Sequence, residues 1–418
     1  MHRVPVELLT PGMQIGRSLY NQRGDVLLTS GSELDEAFIG SIRQRGYRFI
    51  YVMDGIADDV APHGLISQRL RSATLRNLDA VFKAMVEATR PQRDQAAEEG
   101  AHVLTEILPV ASGMAGVVER QIKRLEADAE QLLAEVFDAQ IFEGVAALKS
   151  HDNYTFEHSV DVAFYGVMLG RKLALDGEYL KDLALGCLIH DIGKMYVDDQ
   201  VLSKPGKLTQ AEFKQVMRHT VLGFQVARQM PISSPRPAHV ALQHHEYQSG
   251  RGYPNGLTGT NRLFRTPRER FNPSRIILLA ELAAVADVCS ALSSDRHQRA
   301  ALPAADVLKQ LRGLAGEHLN REAVEAFGSM VEVFPVGVHV HFGSGKYRGS
   351  YGVVVSCTPG ESNRPVIRLL FDANGLPLPD GMEVDLRKLS DDADLTAVPE
   401  AGVSVEEYAR RLTLAQSA

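Results

Sequence analysis

Residues 183–197 read LALGCLIHDIGKMYV, and this stretch limits what the chain can fold into more than any other. Its apolar spacing predicts a buried helix, yet His190 and Asp191 stand side by side inside it and Lys194 follows one turn later. Desolvating a carboxylate costs on the order of several kcal/mol unless a partner offsets it. Asp191, placed behind Leu183, Leu185, Leu188 and Ile189, therefore needs a partner, and a metal ion is one.

The surrounding segment, residues 146–325, carries an unusual density of further donors. HSVDVAFYGVMLGRKL, YLKDLALGCLIHDIG, TQAEFKQVMRHTVLGFQVARQM, RPAHVALQHHEYQ and PSRIILLAELAAVADVCSALSS each read as a helix long enough to span a compact helical domain. They hold His158, His190, His219, His244 and His245, together with Asp191 and an Asp287 flanked by small apolar residues. Two carboxylates in buried-looking helical text and five histidines meet the ligand demand of two divalent metals that share a bridging group. His158 or His219 taken singly reads more simply as a satisfied or partly exposed histidine, so the joint pattern carries the argument. His239 and His151 lack comparable context and read as ordinary histidines.

The flanks differ in period. Residues 1–55 alternate and turn often, with SELDEAFIGSIRQRG as a helix and YRFIYVM as a strand, which predicts a small α+β domain of regulatory character; residues 56–65 read as a linker. Residues 66–145 form a helical connecting region whose apolar stripes suit packing within the fold or, alternatively, a homodimer seam. From 330 to 395 the text returns to strands (EVFPVGVHVHFG, YRGSYGVVVSC, RPVIRLLFD, MEVDLRKL), followed by the short amphipathic SVEEYARRLTLAQ. The expected architecture is multidomain and predominantly α, with an all-helical central domain, a small α+β N-terminal domain and a small mostly-β C-terminal region.

Over 418 residues the formal net charge is -7, which argues against a DNA- or RNA-polymer coat while leaving room for a local basic pocket. Cys187, Cys289 and Cys357 lie far apart and form no CxxC site, and two of them sit in apolar helical text, as expected of buried thiols in a reducing compartment. No apolar window reaches the length of a membrane span and the start lacks a signal-peptide stretch, so a cytoplasmic location is expected.

In YTFEHSVDV (154–162), LIHDIGKMYVDDQVLSKPGKLTQAEF (188–213), RHTVLG (218–223), HHEYQSGRGYPNGL (244–257) and AELAAVADVCSALSSDR (280–296), the chain resembles the HD-GYP family, metal-dependent phosphohydrolases of the HD superfamily that act on cyclic di-GMP. The resemblance covers about residues 146–320. It implies that His158, His190, Asp191 and Asp287 hold one metal and that His219, His244 and His245 complete a second, with Asp191 bridging. Some members hold a third metal through a glutamate four residues before the first ligand histidine; Tyr154 stands there, so two metals are expected, of which Fe or Mn follow family precedent.

The implied reaction is hydrolysis of cyclic di-GMP by a hydroxide shared between the metals, ending at pGpG or at GMP; the implied catalytic residues are the ligands His190 and Asp191 and Lys194, the last as a point charge on the scissile phosphate. Gly252, Tyr253 and Pro254, by themselves a turn, would line the substrate entrance and meet GGDEF-domain partners. Arg296 and Arg299 stand where the family keeps basic residues for phosphate or guanine, although a solvated position suits either equally well.

Departures from the family fall at Ser249, Cys289-Ser290 and His297-Gln298, none of them a metal ligand. The arginine-rich stretch 260–275 reads equally as a flap over an anionic substrate and as a solvated loop. The competing reading is a catalytically weak cyclic-dinucleotide sensor acting through its flanking domains. A general nucleotide phosphohydrolase is a third, opposed by the adjacent histidines and the GYP loop.

Overall fold

The computed structural model describes residues 1–20, 26–45, 47, 49–53, 55, 58–60, 67–90, 112–138, 154–270, 272–294, 302–358, 361, 363–378, 382–389 and 394–397. The strands of the N-terminal unit are β1 (His2–Pro5), β2 (Gln14–Ile15), β3 (Leu19–Tyr20), β4 (Val26–Leu28) and β5 (Phe49–Met53). Its first sheet runs β1-β5-β2, antiparallel, and β3 pairs with β4 in a separate hairpin. Helix α1 (Glu36–Gln44), N-capped by the Asp35 side chain on the Phe38 N–H, closes a core of Val4, Ile15, Ile39, Ile42, Ile50 and Val52.

The central body is helical: α2 (Gln68–Ala88), α3 (Ala115–Asp138), α4 (Tyr154–Lys172), α5 (Gly177–Ile189), α6 (Gln210–Met217), α7 (His219–Ala227), α8 (Arg236–Gln243), α9 (Leu278–Ser293), α10 (Ala304–Leu314) and α11 (Arg321–Gly328). Helix α5 is buried continuously from Asp182 to Ile189, and α9 is almost as deeply buried, which places both at the centre with α4 packed on each. The apolar stripes of α2 (Leu78, Val81, Met85) and α3 (Ile122, Leu125, Ala129) join this same core, as packing within the fold requires. Arg71 on α2 donates to the buried Asp161 on α4 at 2.7 Å, tying the connecting region to the central helices.

Two predicted helices are shorter than their hydrophobic period. The stretch 209–230 divides at Arg218 into α6 and α7, and α5 ends at Ile189, so that Lys194 sits in a 3-10 turn (Ile192–Tyr196) rather than one turn further along the same helix. In both places the chain leaves the helix where a histidine must turn inwards, and tertiary demands override local propensity.

The C-terminal unit is one antiparallel sheet in the order β10-β6-β7-β8-β9, built from β6 (His339–Phe342), β7 (Tyr351–Ser356), β8 (Val366–Phe371), β9 (Glu383–Asp385) and β10 (Leu395–Ala397). Val338, Val340, Phe342, Val353, Ile367 and Leu369 fill its core, and Val60 of the N-terminal region enters that core too. His2 on β1 lies against His339 on β6, ring nitrogens 2.6 Å apart and buried, while Arg368 holds Asp59 through two bonds of 2.7 and 2.8 Å. Among the described residues, no helix is long and apolar enough to cross a membrane. The expected helical text at 101–110 and 404–416, and His151, lie outside the described residues.

Glu332 occupies the connection between α11 and β6, with both carboxylate oxygens buried and lacking a hydrogen-bond partner among the described residues. Burial pushes its pKa from 4.5 up to about 7. The native state then holds the proton more tightly than the unfolded chain, so this group's contribution is full below pH 4.5 and is lost as pH rises through about 7. Glu332→Gln should therefore melt at a higher temperature than wild type at pH 8, and the gap should close by about pH 5. A gap that is the same at both pH values in thermal melts would refute this assignment.

Candidate metal centre

Five segments deliver the donors: α4 carries His158, the end of α5 carries His190 and Asp191, α7 opens with His219, the end of α8 carries His244 and His245, and α9 carries Asp287. Three of the imidazoles are oriented in one way. His190 Nδ1 lies 2.7 Å from the Cys187 carbonyl, His219 Nδ1 2.6 Å from the Val216 carbonyl, and His244 Nδ1 3.0 Å from the Ala241 carbonyl. A carbonyl oxygen can only accept, so each Nδ1 carries the proton and each Nε2 presents a lone pair to the interior. As a result the Nε2 atoms of His219 and His244 face each other at 3.3 Å with no proton to share in their neutral forms.

The donor atoms gather into two groups, His158, His190 and Asp191, and His219, His244 and His245; within each group they all lie within 4.8 Å of one another. Asp191 stands between the groups. Its Oδ2 is 3.4 Å from His190 Nε2, and its Oδ1 is 3.5 Å from His219 Nε2 and 3.9 Å from His244 Nε2. Asp287 Oδ1 approaches His158 Nε2 at 3.0 Å. His190 Nε2 and Asp191 Oδ1 are buried without a hydrogen-bond partner among the described residues. Inward lone pairs, unpartnered buried atoms and a carboxylate shared between imidazole groups fit divalent cations.

Electrostatics agree with that donor role. Burial lowers the His219 pKa to about 4 and that of His245 to about 3, and drives that of His244 well down with help from the neighbouring rings. These rings are therefore neutral at pH 7, the form that binds metal. Burial would raise Asp191, but Lys194 and His190 outweigh it and hold the carboxyl well below its usual range. Asp287 is likewise held low by His158 against the effect of burial. Burial opposes protonation of His190, yet Asp191 and Asp287 outweigh it and raise its pKa.

Lys194 places Nζ 2.5 Å from Asp191 Oδ2, with its side chain 32% exposed. The turn before it passes so close to α7 that a Cβ on Gly193 would run into the His219 carbonyl and the Gly223 backbone nitrogen. Gly252 is equally confined by the His245 carbonyl and the Tyr247 backbone nitrogen, so the GYP loop folds directly back on the paired histidines. Tyr253 lies over His245 with centroids 4.8 Å apart. Arg296 and Arg299 lie outside the described residues. His239 packs against Phe224 away from the cluster.

Several supporting residues escaped the sequence reading. Ser290 Oγ is 2.9 Å from His158 Nδ1, so α9 holds both edges of that ring, Asp287 at one nitrogen and Ser290 at the other. Its position three residues after Asp287, on the same helix face, was the available signal. Glu246, directly after the histidine pair, accepts from the Asn255 and Leu257 N–H groups at 2.7 and 2.8 Å and clamps the GYP loop. Within the arginine-rich stretch, Arg265 is buried, donating to Glu281 and to the Ile276 carbonyl, and Arg275 donates to Thr258 and the Gly259 carbonyl. Gln248 and Asn320 complete the shell around Glu281 at 2.9 and 2.7 Å. Two of its arginines therefore pin the loop to the protein.

Comparison with known protein families finds a match to the HD domain over residues 155–292, the stretch that holds all seven donors. The helical stretch that holds the donors is an HD domain. A second match, to the KOW domain associated with HD domain, covers residues 348–391, most of the C-terminal sheet. A cyclic di-GMP phosphodiesterase of Pseudomonas aeruginosa is 35% identical over 233 residues, 56% of this chain and 52% of the relative. One from Thermotoga maritima is 29% identical over 215 residues, 50% of this chain and 54% of the relative. The 3'3'-cGAMP-specific phosphodiesterase 3 of Vibrio cholerae is 35% identical over 151 residues, 36% of this chain and 29% of the relative. The chain thus spans about half the length of the first two relatives.

The close approach inside the HD domain yields a direct test. Gly193→Ala should push the turn away from α7, displace His219 and lower both metal content and melting temperature. Wild-type metal content in a folded Gly193→Ala variant, measured by elemental analysis, would show that this approach does not set the His219 position.

Proposed function

We propose that the HD domain is a metal-dependent phosphodiesterase that opens cyclic di-GMP to pGpG. The observation that carries the reading is Asp191, an ionised carboxylate lying between two groups of inward-facing imidazoles. In this reading His158, His190 and Asp287 would hold one metal and His219, His244 and His245 the other, with Asp191 placed to serve either. Imidazole and carboxylate donors without thiolate suit Fe or Mn. Cys187, Cys289 and Cys357 form no disulfide among the described residues, which suits action in a reducing cytoplasm.

When bound, the metal pair supplies Lewis-acid activation of water and of the phosphate. The chain supplies the rest. Backbone carbonyls behind His190, His219 and His244 fix the tautomers, so the donor lone pairs are oriented before any ligand arrives. Lys194 brings a cation beside the cluster at its partly exposed edge, where it can stabilise negative charge developing on a phosphate oxygen. The GYP loop, held by Glu246, sets Tyr253 as a wall of the entrance. A GGDEF-domain partner would meet this loop, beside which Arg251 pairs with Glu317 at the surface.

The test combines metal analysis with a chromatographic time course after reconstitution with Mn or Fe(II), using His190→Ala with Asp191→Ala as the blank. Two metals per chain and turnover of cyclic di-GMP that disappears in the blank are expected, with 3'3'-cGAMP as the competing substrate. Metal-loaded wild type that binds cyclic di-GMP without cleaving it would instead identify a sensor. Lys194→Met should lower kcat about 100-fold while keeping both metals, the loss typical of one transition-state charge contact. A Lys194→Met variant with wild-type kcat would remove the lysine from the reaction.

A further inference from the structure

The histidine groups are buried or half-buried, whereas the Lys194 side chain is 32% exposed and Phe213 is 47% exposed. Phe213 stands at the outer end of a ladder of rings that leads inwards. It meets Tyr253 edge to face with centroids 6.2 Å apart, and Tyr253 in turn lies 4.8 Å from His245 and 6.5 Å from His219. The ring is carried on a fixed turn. Thr209 and Glu212 form a capping box at the start of α6, and Lys204 grips Glu212 through both oxygens at 2.7 and 2.8 Å.

Core packing gives no reason for a phenylalanine to be presented to water at the rim of a polar site. The segment that carries it, residues 203–218, is basic in composition: Lys207, Lys214 and Arg218 stand beside the Lys204–Glu212 pair, and Glu212 is its single acidic residue. An aromatic ring on a basic segment suits a ligand that combines flat rings with negative charge. We propose that Phe213 is the stacking platform for one purine base of the cyclic dinucleotide, seated while the phosphate lies at the donor cluster; this rests on the phosphodiesterase reading above.

The chain contains no tryptophan, so Phe213→Trp installs a single fluorescent reporter at the proposed contact. Titrating the manganese-loaded variant with the slowly hydrolysed phosphorothioate analogue of cyclic di-GMP should quench its emission saturably, as stacked guanine does. In steady-state assays with cyclic di-GMP, Phe213→Ala should raise KM about tenfold, the value of one lost base-stacking contact, with kcat held within about twofold. Phe213→Trp should restore KM, and Phe213→Leu, which keeps apolar volume without a π-face, should not. An unchanged KM in Phe213→Ala alongside normal wild-type turnover overturns the stacking role and leaves the phosphodiesterase standing; a protein-docking role for the ring would give that result. No turnover by wild type and no quenching overturns both.

Discussion

The carboxylate of Asp191 is the point on which the central domain depends. It lies buried in the helical core, and the cost of keeping it charged there is met only because the neighbouring His190 ring, imidazoles from two other helical segments and the Lys194 ammonium converge on it. Convergence alone would leave each ring free to turn. The rings are held because His190, His219 and His244 stand at helix ends, where carbonyls of the preceding turn accept from Nδ1. The interruption at Arg218 and the early end of α5 are thus conditions of the donor geometry, since an uninterrupted helix would engage those carbonyls itself.

Helix α9 acts as a second organiser. Glu281, Asp287 and Ser290 project from one rod: the first holds the arginine-rich stretch through Arg265, the second faces His158 Nε2 and the third supports His158 Nδ1. Burial raises the Glu281 pKa, and only the bonds from Arg265, Gln248 and Asn320 counter it, so the loop and the helix secure each other. A displacement of α9 along its axis would disturb the donor cluster and the loop together.

Much of this was legible in the sequence, for physical reasons that differ by residue. The 3.6-residue period of α4, α5 and α9 announced buried helices, and a charged pair inside that period announced a compensating partner. The five histidines and two aspartates could be gathered because they interrupt apolar text. Other features had no such mark. Arg218 carries neither glycine nor proline to signal a break, Ser290 gains its meaning only when α9 lies beside α4, and Arg265 looked like its neighbouring surface arginines until Glu281 was placed under it. The free-standing appearance of the two terminal regions was equally uninformative, because their contact depends on partners more than 300 residues apart in the chain.

That last contact affects how the molecule is made. His2 meets His339 across 337 positions, and Val60 belongs to the core of a sheet whose strands begin at residue 339. A ribosome adding about 5–20 residues each second needs on the order of tens of seconds to cover that distance. Throughout this interval the outer face of β1 is without its cover, and the donor helices are already complete before the two ends meet. His2 and the sheet that covers it are therefore brought together only after the segment carrying the donor helices has been made.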